Sequence, residues 1–479
     1  MSSCRHASIS ATLATVLAAG CPSLAVGQTT WTGAGDGVSF SDAGNWFAGV
    51  PGAADDAFID GGNAAAAAVS LTAGGSVRDL TIDAGDALTI AIASTLTVNG
   101  TLTNNGVVSL DLVLPGNTFD ATLAFNTAAS DAMLTGTGEI VMSDDFDHSV
   151  LALSNAFSII NGADHTIRGA GQILANVGGF VNDGLVQATG SSAALVVDPG
   201  SGAQFVNNGT LEALGSVGMT LNAGVYVNTN GLIAARDGSL VQLQNGAVVQ
   251  GGEVTTTGTG RILANSGSDL SAVTVTDGSR LDIAPQAAVD VFGGITNNGT
   301  INLTTMTDGN SFDSTLNFAD SASISGNGTI DMVDDIDNRI TASTNSVTVT
   351  QGAGHSIRGS GFILSNIGGF VNEGLIQATG ASVALTLDPG SLGFVNNSIM
   401  QALGTAGMIF NAGTYDNTNG LITVGDDSLV RFLSGANIQG GTLTAAGSGL
   451  FDAASGADLT GVTLTAGSRL DVASQAGVD

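Results

Sequence analysis

The sequence predicts an all-β protein, a β-solenoid whose stacked coils are grouped into large internal repeats. Three observations lead to this fold class. A unit of about 190 residues recurs, a shorter rhythm of about 24 residues runs inside it, and the composition combines aliphatic residues with Gly and small polar residues. Such a mixture suits many short strands joined by tight turns.

The large repeat is clearest in a Gly-Gly-Phe-Val-Asn segment that occurs twice. Residues 178–190 and 368–380 are identical at eleven of thirteen positions. The predicted parts of the chain are a leader at 1–27, an N-terminal capping region at 28–79, a first solenoid repeat at 80–272, a second at 273–461, and the start of a truncated third at 462–479. Because each coil of a solenoid packs only on its neighbours, one continuous fold is expected.

The short rhythm consists of Asn-Asn-Gly or Asn-Asp-Gly phrases between apolar or Thr residues. Val181 and Val206 begin two such phrases 25 residues apart, and Val371 and Val395 begin two that are 24 apart. Steps of this size predict one coil each, with two or three strands. We expect Gly and Asn to supply positive φ angles at the corners. About 20 coils at ~4.8 Å would give a rod on the order of 100 Å long.

The composition excludes several classes of protein. Asp and Glu number 41 and basic residues only 10, all of them Arg, which gives a net charge of −31. Nucleic acids and anionic membrane surfaces need clustered basic residues, so neither is an expected partner. The Gly-x-Gly phrases are interpreted as corner turns rather than phosphate loops, because the chain has no Lys. Tandem β-sandwich domains are the alternative fold, but no Pro-rich or charged linker separates domain-sized units.

The first 27 residues have the pattern of a signal peptide. A mostly apolar stretch is followed by small residues that suit cleavage before Gln28, and a lipoprotein signal ending at Cys21 is the alternative. The two cysteines, Cys4 and Cys21, both lie in this leader, so the mature chain would have no disulfides. The predicted location is therefore secreted or on the cell surface, with no transmembrane segment in the mature chain.

The phrases at 206–211 and 296–301, together with the Trp-rich opening at 31–59, carry a family resemblance. The chain resembles the β-helical passenger and adhesin-like proteins that bacteria secrete, including autotransporter-associated strand-repeat proteins. The resemblance implies a right-handed parallel β-helix displayed outside the cell. It implies a structural or adhesive surface protein rather than an enzyme.

Two acidic turns at equivalent repeat positions are the best candidate sites. Oxygen-rich turns of this kind suit Ca²⁺, although neither matches a known calcium loop, and a solvated acidic turn is the alternative. The candidate calcium ligands are Asp144, Asp145, Asp147, Asp334, Asp335 and Asp337. No other cofactor is expected.

Two His–Arg pairs and a group of aromatic residues are further features of the sequence. His165 with Arg168 and His355 with Arg358 would lie on opposite sides of a strand, and duplication alone explains their recurrence. The Trp31–Ile59 segment is predicted to cap the first coil, with Trp31, Trp46 and Phe47 packing over its end. A carbohydrate-binding platform is the alternative for this segment.

The sequence therefore favours an extracellular, non-catalytic β-helical rod. The alternative is a protein that binds or degrades polysaccharide, and cell-surface or matrix polysaccharide is the expected partner. A degrading enzyme would need Asp, Arg and aromatic residues clustered on one face. A binding module for calcium or ice is the third hypothesis, but the spacing of Thr residues is too irregular for an ice-binding ladder.

Overall fold

The computed structural model describes residues 27–60, 65–111, 120–127, 130–200, 202–304, 314–474 and 477–478. Their 53 strands stack in parallel as one β-solenoid of about 18 turns. Helix in these residues is limited to a 3₁₀ turn at Ala43–Asn45. The predicted solenoid is confirmed, and the sandwich alternative is wrong because strands one turn apart pair directly. Except for Gly27, the predicted leader lies outside the described residues.

Most turns have three strands, which form three faces that the chain visits in the order 1, 2, 3. Face 1 contains Gln28–Thr30, Asp56–Ile59, Leu80–Ile82, Thr101–Asn104, Ala132–Thr135, Ser158–Asn161, Gly179–Asn182, Gln204–Asn207, Thr315–Phe318, Arg339–Ala342, Gly361–Ile363, Leu385–Leu387, Met408–Phe410, Leu429–Phe432, Leu450–Ala453 and Leu470–Val472.

Face 2 contains Ala68–Leu71, Ala87–Ala91, Val107–Asp111, Glu139–Met142, Thr166–Gly169, Leu185–Ala188, Thr210–Ala213, Leu232–Ala235, Glu253–Thr256, Ala322–Ser325, Thr348–Gln351, Gly369–Asn372, Gly393–Asn396, Gly413–Asp416, Ala436–Gln439, Asp458–Thr460 and Gly477–Val478. Face 3 contains Gly75–Val77, Ser94–Val98, Ala121–Phe125, Ser149–Ala152, Gly171–Leu174, Leu195–Asp198, Arg261–Ala264, Arg280–Ile283, Thr300–Leu303, Thr329–Met332, Ser356–Gly359, Leu375–Ala378, Ile399–Ala402, Leu421–Val424, Thr442–Ala445 and Thr463–Leu464.

Four longer strands bend around a corner and belong to two faces each. Met219–Val227 and Leu240–Gln250 join face 3 to face 1, whereas Asp269–Val275 and Ala288–Asn297 join face 1 to face 2. The register shifts at the bend, for example between Asn222 and Gly224. A β-bulge of this kind lets a strand change direction without ending.

The core is a continuous aliphatic column between the faces, because alternate residues of nearly every strand point inward. Aromatic rings extend the stacking: Phe180 and Phe205 lie parallel with centroids 5.0 Å apart, and Phe370 and Phe394 repeat this arrangement. The predicted coil step is confirmed, since Val181 pairs with Val206 across one turn.

The two large repeats are displaced by one face. Phe125 lies on face 3, whereas its counterpart Phe318 lies on face 1. Likewise Asn182 lies on face 1 and its counterpart Asn372 on face 2. The large repeat is therefore not a whole number of turns, and equivalent surface features point in different directions.

The predicted positive φ angles occur at Gly-x-Gly corners such as 169–171, but the Asn-x-Gly phrases differ from the prediction. Asn182 and Asn207 are buried and point inward, and neither they nor Gly184 and Gly209 have a positive φ. A Cβ at Gly209 would collide with the carbonyl oxygen of Gly184 on the preceding turn. Gly is thus needed here because two backbones approach closely, not because of its φ angle.

The N-terminal segment packs as a small aromatic cluster against the first turns. Trp46 is edge-on to both Trp31 and Phe40, with centroids 5.2 and 5.1 Å apart, and its indole N–H donates to the Phe40 carbonyl oxygen. Phe40 takes the place predicted for Phe47, whose side chain is 84% exposed. Both Trp rings are buried, so they offer no platform for a sugar ring.

Candidate functional sites

The first predicted calcium turn contains a carboxylate that is already saturated with hydrogen bonds. Asp144 accepts from the backbone amides of Ser191, Ser192 and Ala193 and from the Ser191 hydroxyl, at 2.7–3.1 Å. Burial opposes ionisation of Asp144, but these donors outweigh it and lower its pKa to about 2. The carboxylate therefore anchors a loop that lies two turns further along the chain.

The second copy repeats this anchor. Asp334 accepts from the backbone amides of Ala381, Ser382 and Val383 at 2.9–3.1 Å, and from the hydroxyl of Ser360 at 3.0 Å. Burial again opposes ionisation, and the donors again lower the pKa of Asp334. Between the two turns that each Asp joins, the chain turns on a Gly-x-Gly phrase at 169–171 or 359–361, whose glycines have positive φ and lie against carbonyl oxygens of the preceding turn.

The other predicted calcium ligands have hydrogen bonds of their own, separate from those of these anchors. Asp145 accepts from the backbone amide of Asp147 at 3.1 Å, and Asp335 accepts from that of Asp337 at 2.9 Å. One carboxylate oxygen of Asp147 is inaccessible and unpartnered, and burial, Asp120 and Asp145 raise its pKa. Within the described residues, no three acidic, His or Cys side chains converge as a metal site. Calcium at these turns stays a prediction.

His165 is a structural rung inside the solenoid. Its Nε2 accepts from the Asn104 amide at 3.1 Å, and its Nδ1 lies 2.8 Å from the Asn161 side-chain oxygen. These partners require a neutral ring with the proton on Nδ1. Burial lowers the pKa of His165 to about 4. The turn between those of Asn104 and Asn161 has no Asn at this corner, and the imidazole of His165 bridges the two Asn side chains instead.

From Asn161 onward, one buried Asn on each turn donates its side-chain amide to the side-chain oxygen of the next. The distances are 2.9, 2.8 and 2.7 Å along Asn161, Asn182, Asn207 and Asn228. This ladder satisfies the corner's buried polar groups and fixes the register of successive turns. Sequence reasoning missed it. The signal that could have revealed it is the recurrence of one Asn per turn, at steps of 21, 25 and 21 residues.

The second copy keeps the histidine but loses part of the network. His355 Nε2 accepts from Asn297 at 3.0 Å, and burial lowers its pKa to about 4. Gln351 stands where the first copy has Asn161, and its amide donates to the His355 carbonyl oxygen at 2.8 Å instead. His355 Nδ1 and Gln351 Oε1 are buried without a partner.

The His–Arg pairs do not form a catalytic unit. Arg168 faces outward and forms two hydrogen bonds with Glu139, at 2.7 and 2.9 Å, while His165 is buried at the corner. Arg358 pairs with Asp331 in the same manner, at 2.7 Å. The expectation that His and Arg lie on opposite sides is confirmed.

One outward row on face 1 places an Arg beside an aromatic ring. The Arg339 guanidinium lies 5.6 Å from the centroid of the half-buried Phe362, within the range of a cation–π contact. The equivalent residues of the first copy, Ser149 and Gln172, lack both groups. The second copy thus carries a surface contact that the first does not.

Two polar depressions follow the corner between faces 1 and 2. The first, of about 410 Å³, is lined by Asn105, Thr137 and Glu139 among others; the second, of about 470 Å³, includes Asn208 and Glu253. Asn and Thr side chains line both together with glycines and acidic side chains, and no aromatic ring lines either. Their lining suits hydrogen bonding to hydroxyl-rich ligands.

Comparisons with known proteins add no family to this picture. The chain matches no protein-family model, no curated protein and no solved structure. Among the residues with a described structure, no helix is long and apolar enough to cross a membrane.

Proposed function

We propose that the protein is an extracellular, non-catalytic rod with a structural or adhesive role, similar to secreted bacterial β-helical passenger proteins. The observation that carries the proposal is the single unbroken core, which is stacked over about 18 turns. A rod of this kind presents a long surface built from one repeated structural unit.

Secretion through a cleaved leader belongs to the same proposal. It is supported by the signal-peptide pattern at 1–27 and by the high acidic charge, which favours solubility and attracts cations. N-terminal sequencing of protein from the culture medium tests it. A mature chain that begins at Gln28 is the expected result, and retention of the full leader in the cytoplasm contradicts it.

Binding of polysaccharide is the second candidate, favoured by the two polar depressions on one corner. Sugar hydroxyls suit their Asn, Thr and Glu lining. Retention of the purified protein on immobilised surface or matrix polysaccharides tests this function. Binding without release of new reducing ends is the expected result. Sustained release of fragments would instead establish a degrading enzyme and contradict the non-catalytic rod.

A further inference from the structure

Two Asp–Pro peptide bonds occupy equivalent places in the two large repeats. Asp198 ends a face 3 strand and precedes Pro199, whereas Asp388 follows a face 1 strand and precedes Pro389. Both bonds are followed by Gly-Ser, so their local sequences match. An Asp–Pro bond is especially labile to acid, because the Asp carboxyl can attack its own carbonyl carbon and the Pro nitrogen is a more basic leaving group than an ordinary peptide nitrogen. The surrounding fold decides whether such a bond is protected or promoted.

Two backbone amides of the preceding turn donate to the carbonyl oxygen of Asp198. They belong to Ala175 and Asn176, and the donor–acceptor distances are 3.3 and 2.8 Å. Leu174, Ala175 and Asn176 have φ angles of 73°, 105° and 61°, in the left-handed region that residues other than Gly rarely adopt. This strained segment directs two amides at one carbonyl oxygen, which is the arrangement of an oxyanion hole.

The following turn holds the proline of each bond. Pro199 lies against Gly224, where a Cβ would come within 2.8 Å of the proline ring. Pro389 lies in the same way against Gly413. Each Asp–Pro bond is therefore fixed between the turn before it and the turn after it.

The contacts to the carbonyl oxygen differ between the two copies. The Asp388 carbonyl oxygen accepts from the backbone amide of Asn366 at 2.7 Å, and within the described residues no second backbone amide donates to it. The Asp198 bond thus has two such donors and the Asp388 bond has one. The chain itself contains a matched pair of bonds that differ in this respect.

We propose that the folded chain cleaves itself once, in weakly acidic solution, at the bond between Asp198 and Pro199. One oxygen of the Asp198 carboxyl bonds to the Asp198 carbonyl carbon, the carboxyl proton passes to the Pro199 nitrogen, and the C–N bond breaks. The amides of Ala175 and Asn176 stabilise the negative charge that develops on the carbonyl oxygen. Water then opens the five-membered cyclic anhydride, so the sum of the two steps is hydrolysis of one peptide bond.

The reaction requires the protonated carboxyl of Asp198. Burial raises the pKa of this carboxyl, and a hydrogen bond from Asn222 opposes the shift only in part. The two neighbouring strands, Gly171–Leu174 and Met219–Val227, contribute one ionisable side chain, that of Tyr226, and burial raises the pKa of its phenol so that it stays neutral. We therefore expect cleavage to accelerate as the pH falls through the raised pKa of Asp198 and to level off below it.

Cleavage at this place leaves the rod assembled. Each turn is held by contacts with its neighbours, and a single broken peptide bond removes none of them. The piece that ends at Asp198 and the piece that begins at Pro199 therefore separate only when the protein unfolds. The event occurs once per chain, and it does not depend on the proposed adhesive role.

Incubation of the purified full chain at pH 5 and pH 7, followed by denaturing electrophoresis and N-terminal sequencing, tests the proposal. At pH 5 we expect a new chain that begins at Pro199, and about tenfold slower cleavage before Pro389, because one oxyanion donor contributes roughly 10²–10³-fold in enzymes. In urea at the same pH, both bonds should break at one common and slower rate. Asp198→Asn should abolish the first cut, and Asp388→Asn is the matched control that leaves it intact.

Three results would each overturn the proposal: no chain beginning at Pro199 from the folded protein, equal rates for the two bonds in the folded protein, or cleavage in urea as fast as in the folded protein. Circular dichroism establishes the lowest pH at which the native chain is folded, and the rates are compared there. If Asp198→Asn does not fold, the comparison of the two bonds within the native chain decides, since it needs no variant.

Discussion

At the scale of single residues, close contact between turns decides which amino acids the corners accept. The sequence predicts Asn and Gly as turn formers, and Gly has this role, with positive φ, at the Gly-x-Gly corners. The buried role of the ladder Asn residues is not predictable, because a turn Asn and a buried Asn look the same in one sequence. The inward direction of Asn182 depends on strand register, which only the stacked turns determine.

The corner glycines provide a direct test of close backbone approach. In Gly209→Ala the new Cβ meets the Gly184 carbonyl oxygen, so we expect a loss of about 1–3 kcal/mol in the free energy of unfolding. The matched control is Gly74→Ala, where a Cβ meets nothing within 4 Å and φ is not positive. Denaturant unfolding of both variants measures the difference; equal stability would disprove the role assigned to Gly209.

The Asp144 anchor predicts a local effect. Asp144→Ala leaves the amides of Ser191, Ser192 and Ala193 without their acceptor, which should destabilise the loop by about 1–3 kcal/mol. Hydrogen exchange at 189–194 should accelerate, while exchange at the equivalent loop of the second copy, 379–384, stays at the native rate. Unchanged exchange at 189–194 would show that the anchor is dispensable.

At the scale of elements, the histidine rungs connect the polar ladder to pH. The sequence identifies His165 and His355 as repeat positions, but it does not predict that they are buried. A His at the end of a strand is equally compatible with an exposed position. The structure places both in corners where Asn partners require a neutral ring.

Burial lowers the pKa of both His165 and His355 to about 4 from the ordinary 6.5. These shifts determine how the free energy of unfolding changes with pH. Above pH 6.5 both folded and unfolded states hold neutral rings. Between about 6.5 and 4 only the unfolded state gains the proton, so stability falls as the pH falls, by up to about 3 kcal/mol per His. Below about 4 this loss levels off.

The double variant His165→Gln with His355→Gln should reduce the slope of the stability profile over this pH range. Thermal unfolding from pH 7 to 4 compares it with the native chain. The single variants serve as controls, and each should give about half of the double variant's reduction, while the buried His148, whose pKa burial also lowers, keeps its own contribution in every variant. An unaltered slope in the double variant would mean that other groups cause it.

At the scale of the whole molecule, the fold was predictable and the arrangement of its repeats was not. Recurring steps within the chain, such as the 25 residues between Val181 and Val206, predict the turn. The displacement of the repeats by one face arises because each large repeat holds one strand segment more than a whole number of turns, and this count cannot be read from any local residue pattern. About 18 turns at ~4.8 Å give a rod about 86 Å long, close to the length expected from sequence.

Registered stacking is the central claim, and engineered disulfides measure it most directly. With Cys4 and Cys21 replaced by Ser, Val181→Cys with Val206→Cys places two thiols on adjacent turns, about 4.8 Å apart between strands. Val181→Cys with Val227→Cys spans two turns, about 9.6 Å, beyond disulfide reach. The account predicts rapid cross-linking of the first pair and none of the second; equal cross-linking of both, or failure of the first, would contradict it.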